Sequence, residues 1–166
     1  MGSLNYFLGI QVTRTDGGGL LLSQERYVND LLKKAEMQDG RPCVTPLPST
    51  VKFFAFGGST FNNPKLYRSV VGSLQYLTVT RPELAYCILV KCILHYIRGT
   101  SNFGLLLQPA DITIVAAYSD SDWGGDPDDK RSTGDFCVLL GKNLVSWCSK
   151  KQGLWLGQAL RLSIEL

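Results

Sequence analysis

The sequence predicts an α/β fold of the α+β type, in which a hairpin and helices come first and a sheet follows. Apolar residues around Val28 and around Val70 recur at the three-and-four spacing of amphipathic helices. β-Branched and aromatic residues dominate the chain around Tyr6 and again after Gly99, where the helical spacing ends. Proline and glycine interrupt residues 40–64, which are expected to form an irregular connector. A boundary near Gly99 therefore separates a helical part from a strand-rich part.

The first part is predicted to begin with a β-hairpin that leads into a helix. Tyr6–Thr13 has the composition of a strand, and Leu20–Leu22 follows the glycine-rich turn at Asp16–Gly18. Ser23 is the expected N-cap of a helix whose apolar positions run from Val28 to Ala35.

Two further helices and four strands complete the predicted elements. Leu66–Thr78 has helical spacing, and Pro82 suits the first turn of a helix from Glu83 to Arg98. Thr113–Ser119 is nearly all apolar, which is typical of a central, buried strand. The other strands are expected at Phe103–Leu107, Phe136–Leu140 and Leu144–Trp147, the last two joined by a turn at Gly141–Asn143.

The composition is that of a chain that can build a hydrophobic core. Of its 166 residues 45% are hydrophobic, which excludes a disordered tail, and a net charge of +3 does not require a nucleic-acid partner. No apolar run is long enough for a membrane span and no secretory leader is apparent, so an intracellular, cytoplasmic or nuclear location is expected. The cysteines lack zinc-site spacing and are expected to be free thiols: Cys43, Cys87, Cys92, Cys137 and Cys148.

The acidic stretch Tyr118–Lys130 contains the residue of greatest chemical interest, Asp120. This aspartate directly follows an apolar strand, from which a carboxylate can face a crevice and bind Mg²⁺. A solvated turn rich in aspartate explains the same pattern, and both interpretations stay open on the residues alone. A calcium loop of the EF-hand type is excluded because Gly124 and Arg131 stand where ligands belong. His95, the single histidine, favours a structural role over that of a catalytic base.

Segments along almost the whole of residues 4–153 resemble, in the same order, the Pol polyprotein of copia-type retrotransposons. The segments that carry this resemblance are Leu4–Val12, Leu22–Leu32, Val44–Leu47, Tyr67–Thr78, Thr80–Tyr86, Ile93–Thr100, Tyr118–Trp123, Arg131–Gly134 and Ser146–Gln152. The resemblance implies that residues 1–99 are the C-terminal part of a reverse transcriptase with its helical connection. It implies that residues 100–154 are the N-terminal strands of an RNase H-like domain, an incomplete sheet. It also makes Asp120 the first catalytic carboxylate of that domain and a candidate Mg²⁺ ligand.

The resemblance implies RNA-directed DNA synthesis and Mg²⁺-dependent hydrolysis of RNA in RNA–DNA hybrids, but the chain departs from the family. The paired polymerase aspartates of the family precede the segment that matches Leu4, so polymerase activity is expected to be absent. Cys87–Val90 bridges a place where the family has a longer helical stretch, which indicates an internal deletion. We therefore expect a truncated remnant that does not bind Mg²⁺ functionally.

The end of the chain indicates a frameshift. After Gln152 the family continues with a helix resembling VARSSTEAEYRAL, which carries the second RNase H carboxylate. Codons for that helix, read from their second base, translate to all of residues 155–166. On this interpretation residues 155–166 are a frameshifted tail, and Glu165 does not correspond to the catalytic glutamate of the family.

Three functions follow for such a chain. A remnant without catalytic activity is favoured, because two-metal catalysis needs several converging carboxylates. Its sheet, without the following helix, would expose strand edges and fold poorly. The alternatives are a residual metal-dependent RNase H fragment that relies on Asp120 and a nucleic-acid-binding fragment that uses scattered lysine and arginine side chains.

Overall fold

Three α-helices and two antiparallel sheets form the part of the chain that the computed structural model describes, residues 5–46, 63–87, 89–110, 114–122 and 132–151. The helices are α1 (Glu25–Lys34), α2 (Pro64–Leu77) and α3 (Val90–Gly99). The first sheet has the order β1 (Tyr6–Phe7), β2 (Ile10–Arg14), β3 (Leu20–Ser23), β4 (Gly104–Leu107). The second has the order β5 (Val115–Asp122), β6 (Thr133–Leu140), β7 (Asn143–Lys151). This mixture confirms the α+β prediction.

The predicted single strand Tyr6–Thr13 is wrong, because a tight turn divides it into β1 and β2. Leu8 and Gly9 both have positive φ, 47° and 80°, as a two-residue hairpin turn of the primed type requires. The Tyr76 hydroxyl donates a hydrogen bond to the Leu8 carbonyl oxygen and so ties this turn to α2. The strand-like composition on both sides of the turn concealed it.

The hairpin of β2 and β3 is confirmed, and β4 extends the same sheet. Val12 faces Leu22 across the hairpin, and Leu21 faces Leu106 across the next strand pair. β4 follows α3 in sequence but returns to the first sheet. The backbone of Gly104 lies against the Leu22 carbonyl, where a β-carbon would collide with it.

The start of α1 differs from its prediction. Ser23 is the last residue of β3 rather than an N-cap, and Gln24 precedes the helix without a side-chain capping bond. The Gln24 side chain is instead buried and its Oε1 accepts a hydrogen bond of 2.7 Å from the Thr80 hydroxyl. This contact joins the entrance of α1 to the segment that follows α2.

The predicted helix at Leu66–Thr78 is confirmed as α2, with an earlier start. The Asn63 Oδ1 accepts hydrogen bonds of 3.1 Å from the backbone N–H groups of Lys65 and Leu66. Pro64 occupies the first turn, where the missing N–H has no cost.

The predicted helix Glu83–Arg98 is wrong. Pro82–Leu84 forms a 3₁₀ turn, and the backbone is extended at Leu89 (φ −89°, ψ 97°) before α3 begins. Leu84 and Ile93 both lie in the core, but they belong to two separate segments and not to one continuous helix.

One hydrophobic core joins the three helices and the 3₁₀ turn. Each helix contributes residues at i, i+3 or i+4 spacing, so one face of each is buried. The buried core residues are Val28, Leu31, Leu32, Val70, Leu74, Leu77, Leu84, Ile93, Leu94, Tyr96 and Ile97. No helix in the described ranges is long and apolar enough to cross a membrane.

The second sheet confirms the predicted hairpin of β6 and β7, whose turn has Gly141 at φ 61°. The prediction of a central, buried strand at Thr113–Ser119 is wrong for the described residues. β5 lies at the edge of its sheet, and the Val115 side chain is 63% exposed. Residues 47–62 of the connector, the rest of the acidic stretch after Asp122 and the tail 155–166 lie outside the described residues.

Candidate functional site

One face of the second sheet brings together polar and aromatic side chains from all three strands. Side chains that face each other across an antiparallel pair project to the same side of the sheet. Tyr118 faces Cys137, and Asp120 faces Asp135. Cys137 in turn faces Trp147. This inner face is therefore a patch of aromatic and carboxylate groups rather than a continuous apolar surface.

Hydrogen bonds join the second sheet to the rest of the chain at two places. The Trp147 Nε1 donates to the Thr78 carbonyl oxygen at 3.0 Å and holds the inner face toward the segment that follows α2. The Asn143 side chain pairs with the backbone of Gln108, just after β4, accepting from its N–H at 2.7 Å and donating to its carbonyl at 2.8 Å.

A groove of about 360 Å³ separates the inner face from the 3₁₀ segment Pro82–Tyr86. We call it the junction groove. Its sheet side is formed by Tyr118, Asp120, Asp135, Trp147 and their neighbours, and its other wall by Pro82, Glu83, Ala85 and Tyr86. The volume lies in the range of small-molecule sites, roughly 300–1,000 Å³.

Arg81 anchors the 3₁₀ segment that forms one wall of the junction groove. The side chain is 2% exposed, and its Nε lies 2.5 Å from the Glu83 carboxylate. The two other guanidinium nitrogens donate to the carbonyl and the hydroxyl of Thr100, each at 2.8 Å. The guanidinium also lies 5.3 Å from the ring centre of Tyr96 and 5.5 Å from that of Phe103. All of these contacts join the 3₁₀ segment to the end of α3.

Asp120, the aspartate that the sequence singles out, lies within β5 and lines the junction groove. Its side chain is exposed, and its Oδ1 accepts a hydrogen bond of 2.8 Å from the Ser121 backbone N–H. The strand continues to Asp122, so Asp120 is not the first residue after the strand.

Asp135 is a second groove carboxylate that sequence reasoning missed. It lies directly opposite Asp120, and its Oδ1 is buried with no hydrogen-bond partner among the described residues. The pairing depends on the register of β5 against β6. The available signal was an aspartate directly after the family-like segment Arg131–Gly134.

The two aspartates do not form a complete metal site within the described ranges. No group of three or more histidine, cysteine, aspartate or glutamate residues there could hold a metal ion. His95 does not contribute, because its Nδ1 lies 2.7 Å from the Arg41 carbonyl oxygen and links α3 to the connector. The structural role expected for this histidine is consistent with that contact.

Burial perturbs two ionisable groups in the segment that follows Arg81, the groove residue Tyr86 and its neighbour Cys87. Desolvation, with a smaller effect from Glu83, raises the pKa of the Cys87 thiol to about 11. Burial, followed by the neighbouring Cys87 and Glu83, also raises the pKa of the Tyr86 phenol. Both groups therefore stay neutral near pH 7, and neither is an activated nucleophile. The five cysteines are free thiols, as predicted.

Comparison with known proteins gives a consistent set of relatives. The chain is 41% identical over 90% of its length to the retrovirus-related Pol polyprotein from transposon RE1 of Arabidopsis thaliana, of which it covers 11%. It is 31% identical over 92% of its length to the corresponding polyprotein from transposon TNT 1-94 of Nicotiana tabacum. An uncharacterized mitochondrial protein of Arabidopsis thaliana is 38% identical, with 92% of this chain and 69% of that protein covered. No protein-family model matches the chain. No solved structure matches it either.

Proposed function

The chain belongs to the family of retrovirus-related Pol polyproteins of transposons, and from this premise we propose that it is the stretch linking reverse transcriptase to RNase H. It spans about a tenth of the length of the transposon polyproteins that it matches, 11% for RE1. The proposal assigns residues 1–99 to the reverse-transcriptase connection and residues 100–154 to the opening strands of an RNase H-like sheet. The order of elements, with a helical core before the β5–β7 sheet, supports this assignment.

Asp120 is the residue that this proposal places at the RNase H site. Its support is the segment Tyr118–Trp123, which resembles the family at this point, and the position of Asp120 on a strand beside the junction groove. The whole polyproteins of the family carry out RNA-directed DNA synthesis and hydrolysis of RNA in hybrids. For this chain, these activities are inferred only from that resemblance.

We infer that this chain does not cleave RNA by itself. A two-metal mechanism uses several carboxylates to hold two cations about 3.5–4 Å apart. The described residues offer Asp120 and its neighbour Asp135, and these do not fit a pair of Mg²⁺ ions because a third ligand is absent among them. Within that part of the chain no hydrolytic step can be assigned to Mg²⁺.

A cleavage assay tests the inactivity directly. The purified chain is incubated with a fluorescent RNA–DNA hybrid and Mg²⁺, beside the variant Asp120→Asn and an active RNase H as positive control. We expect no cleavage above the buffer background from either form of the chain. Cleavage that Asp120→Asn abolishes would refute the proposal and establish a residual RNase H fragment.

Binding of nucleic acid without cleavage is the second candidate. Lys142 and Lys150 are exposed at the turn and on the edge strand β7 of the second sheet, where phosphates can reach them. Fluorescence anisotropy with a labelled hybrid between 50 and 200 mM salt measures the number of phosphate contacts from the slope of affinity on salt. Lys150→Gln should lower that slope by about one if Lys150 contacts a phosphate. No binding at 50 mM salt would exclude this candidate.

The frameshift at the end of the chain remains a separate proposal. It concerns residues 155–166, and its support is the shifted translation of a family-like segment. Sequencing the encoding DNA with its flanks tests it: restoring one base should open a frame for a helix resembling SSTEAEY. A shifted frame that gives no such continuation would refute it.

A further inference from the structure

The described lining of the junction groove is acidic and aromatic. Among the described lining residues, those that can carry charge near neutral pH are Glu83, Asp120 and Asp135, and none is a lysine, arginine or histidine. Glu83 is already paired with Arg81 at 2.5 Å, so its charge is compensated. Asp120 and Asp135 have no cation beside them among the described ion pairs. The described lining of the groove therefore has an excess of negative charge.

Asp135 carries the strongest indication that a partner is missing. Its Oδ1 is buried and accepts no hydrogen bond within the described residues. A buried charged oxygen without a donor is costly, and compensation by an opposite charge restores the loss. Asp120 lies directly across the strand pair, so a cation placed between them would interact with both carboxylates.

Aromatic rings line the same space. Tyr118 is 62% exposed and Tyr86 is 46% exposed, although both line the groove, and Trp147 is held in place by its hydrogen bond to Thr78. The faces of such rings attract organic cations, and guanidinium groups also stack on them. Large exposed tyrosines beside uncompensated carboxylates thus point to a ligand that is both planar and positive.

We propose that the junction groove binds a planar organic cation of the guanidinium class. The ligand would stack on Tyr118 or Tyr86 and donate hydrogen bonds to the carboxylates of Asp120 and Asp135. A guanidinium group suits this site because its fork of N–H donors matches carboxylates and keeps its charge at every relevant pH. Anionic ligands are disfavoured by the same charges. The proposal is independent of hydrolysis and goes beyond the polyprotein function.

The probe pair for the test differs in charge but hardly in shape. N-acetylarginine amide carries the guanidinium, and N-acetylcitrulline amide replaces it with a neutral urea. Titration of the isotope-labelled full chain is followed by NMR at the Trp147 indole N–H and the Ser149 amide, both at the groove. The arginine compound should bind roughly tenfold or more tightly than the citrulline compound, because charge-assisted hydrogen bonds are lost with the urea. Equal affinities would overturn the proposal.

Two variants that each remove one negative charge distinguish binding at the groove from a general effect of the net charge. Asp135→Asn removes one of the groove charges, and Asp30→Asn removes an exposed charge on α1 that does not line the groove. The first should weaken binding of N-acetylarginine amide roughly tenfold, and the second should leave it unchanged. If Asp135→Asn fails to give a folded spectrum, Asp120→Asn, at an exposed side chain, replaces it with the same expectation. Equal affinity in the groove variant and the control would refute the site.

A third measurement distinguishes an organic cation from a metal ion. Mg²⁺ is titrated alone with the same NMR signals as the readout, and Tyr118→Leu is titrated with the arginine compound. Loss of the Tyr118 ring should weaken that compound about threefold, as for an exposed cation–π contact. If Mg²⁺ shifts the groove signals while the arginine compound does not, the groove is a metal site and the proposal is wrong.

Discussion

Arg81 offers the sharpest test of how the helical part is held together. The change Arg81→Lys keeps a positive charge but removes the planar fork that binds Thr100 twice and Glu83 once. An ammonium cannot reach both oxygens of Thr100 and the carboxylate at the same time. The substitution therefore leaves buried acceptors without donors in a site that is 2% exposed.

The expected loss can be estimated from those contacts. The fork makes two charge-assisted hydrogen bonds to buried Thr100, each worth about 1.5–3 kcal/mol, and an ammonium can replace at most one of them. The weakened contact with Glu83 adds less because that side chain is 32% exposed, so a loss of about 3 kcal/mol is expected. The substitution also removes some stacking of the Arg81 guanidinium on Tyr96 and Phe103, which adds to the loss of unfolding free energy.

Urea unfolding followed by circular dichroism measures this loss. With an m value of about 1–3 kcal/mol/M, the midpoint of Arg81→Lys should fall by about 1–3 M. Arg26→Lys, at an exposed position on α1, is the matched control and should stay within about 0.5 kcal/mol of the wild type. If the two variants have the same free energy of unfolding, Arg81 does not fix the 3₁₀ segment and the reasoning fails.

Three other predictions test separate contacts. Trp147→Phe removes the hydrogen bond to the carbonyl after α2 and should lower the free energy of unfolding by about 1 kcal/mol, measured in urea. Gly104→Ala should destabilise by at least about 1–3 kcal/mol because its β-carbon meets the β3 backbone. Gly72→Ala, in open space on α2, should instead stabilise by about 0.5–1 kcal/mol, and the reverse order would contradict both. Because burial raises the pKa of the Cys87 thiol to about 11, its alkylation rate should keep rising with pH until about pH 11; a plateau by pH 9 would disprove this.

Local patterns predicted those elements whose signals are contained within one segment. The helical spacing of Leu66–Thr78 and the glycine turn before Leu20 each depend on neighbouring residues, and both predictions are confirmed. The break after Pro82–Leu84 could not be predicted in this way. Leu84 and Ile93 reach the same core from two separate segments, so their common burial depends on tertiary packing that a local pattern does not show.

The candidate site shows the same division between local and long-range information. Asp120 is recognisable from its own segment, but its partner Asp135 is defined by strand register, and the aromatic wall at Tyr86 by a contact across the chain. The burial of Arg81 could not be predicted either, because a single arginine before a proline gives no indication of the contacts with Thr100. Register and burial arise from packing, which periodicity does not encode.

The two faces of the second sheet explain why its stability depends on contacts with the rest of the chain. The inner face contacts the first part of the chain through Trp147, while exposed apolar side chains such as Phe136 and Val145 lie among the described residues of this sheet. A three-stranded sheet needs a hydrophobic face or packing against another element to be stable. Because the inner face is not a continuous apolar surface, the Trp147 bond and the Gln108–Asn143 pair supply attachments to the rest of the chain. The position of Asp120 beside the groove is thus secured by the same few contacts that hold the sheet in place.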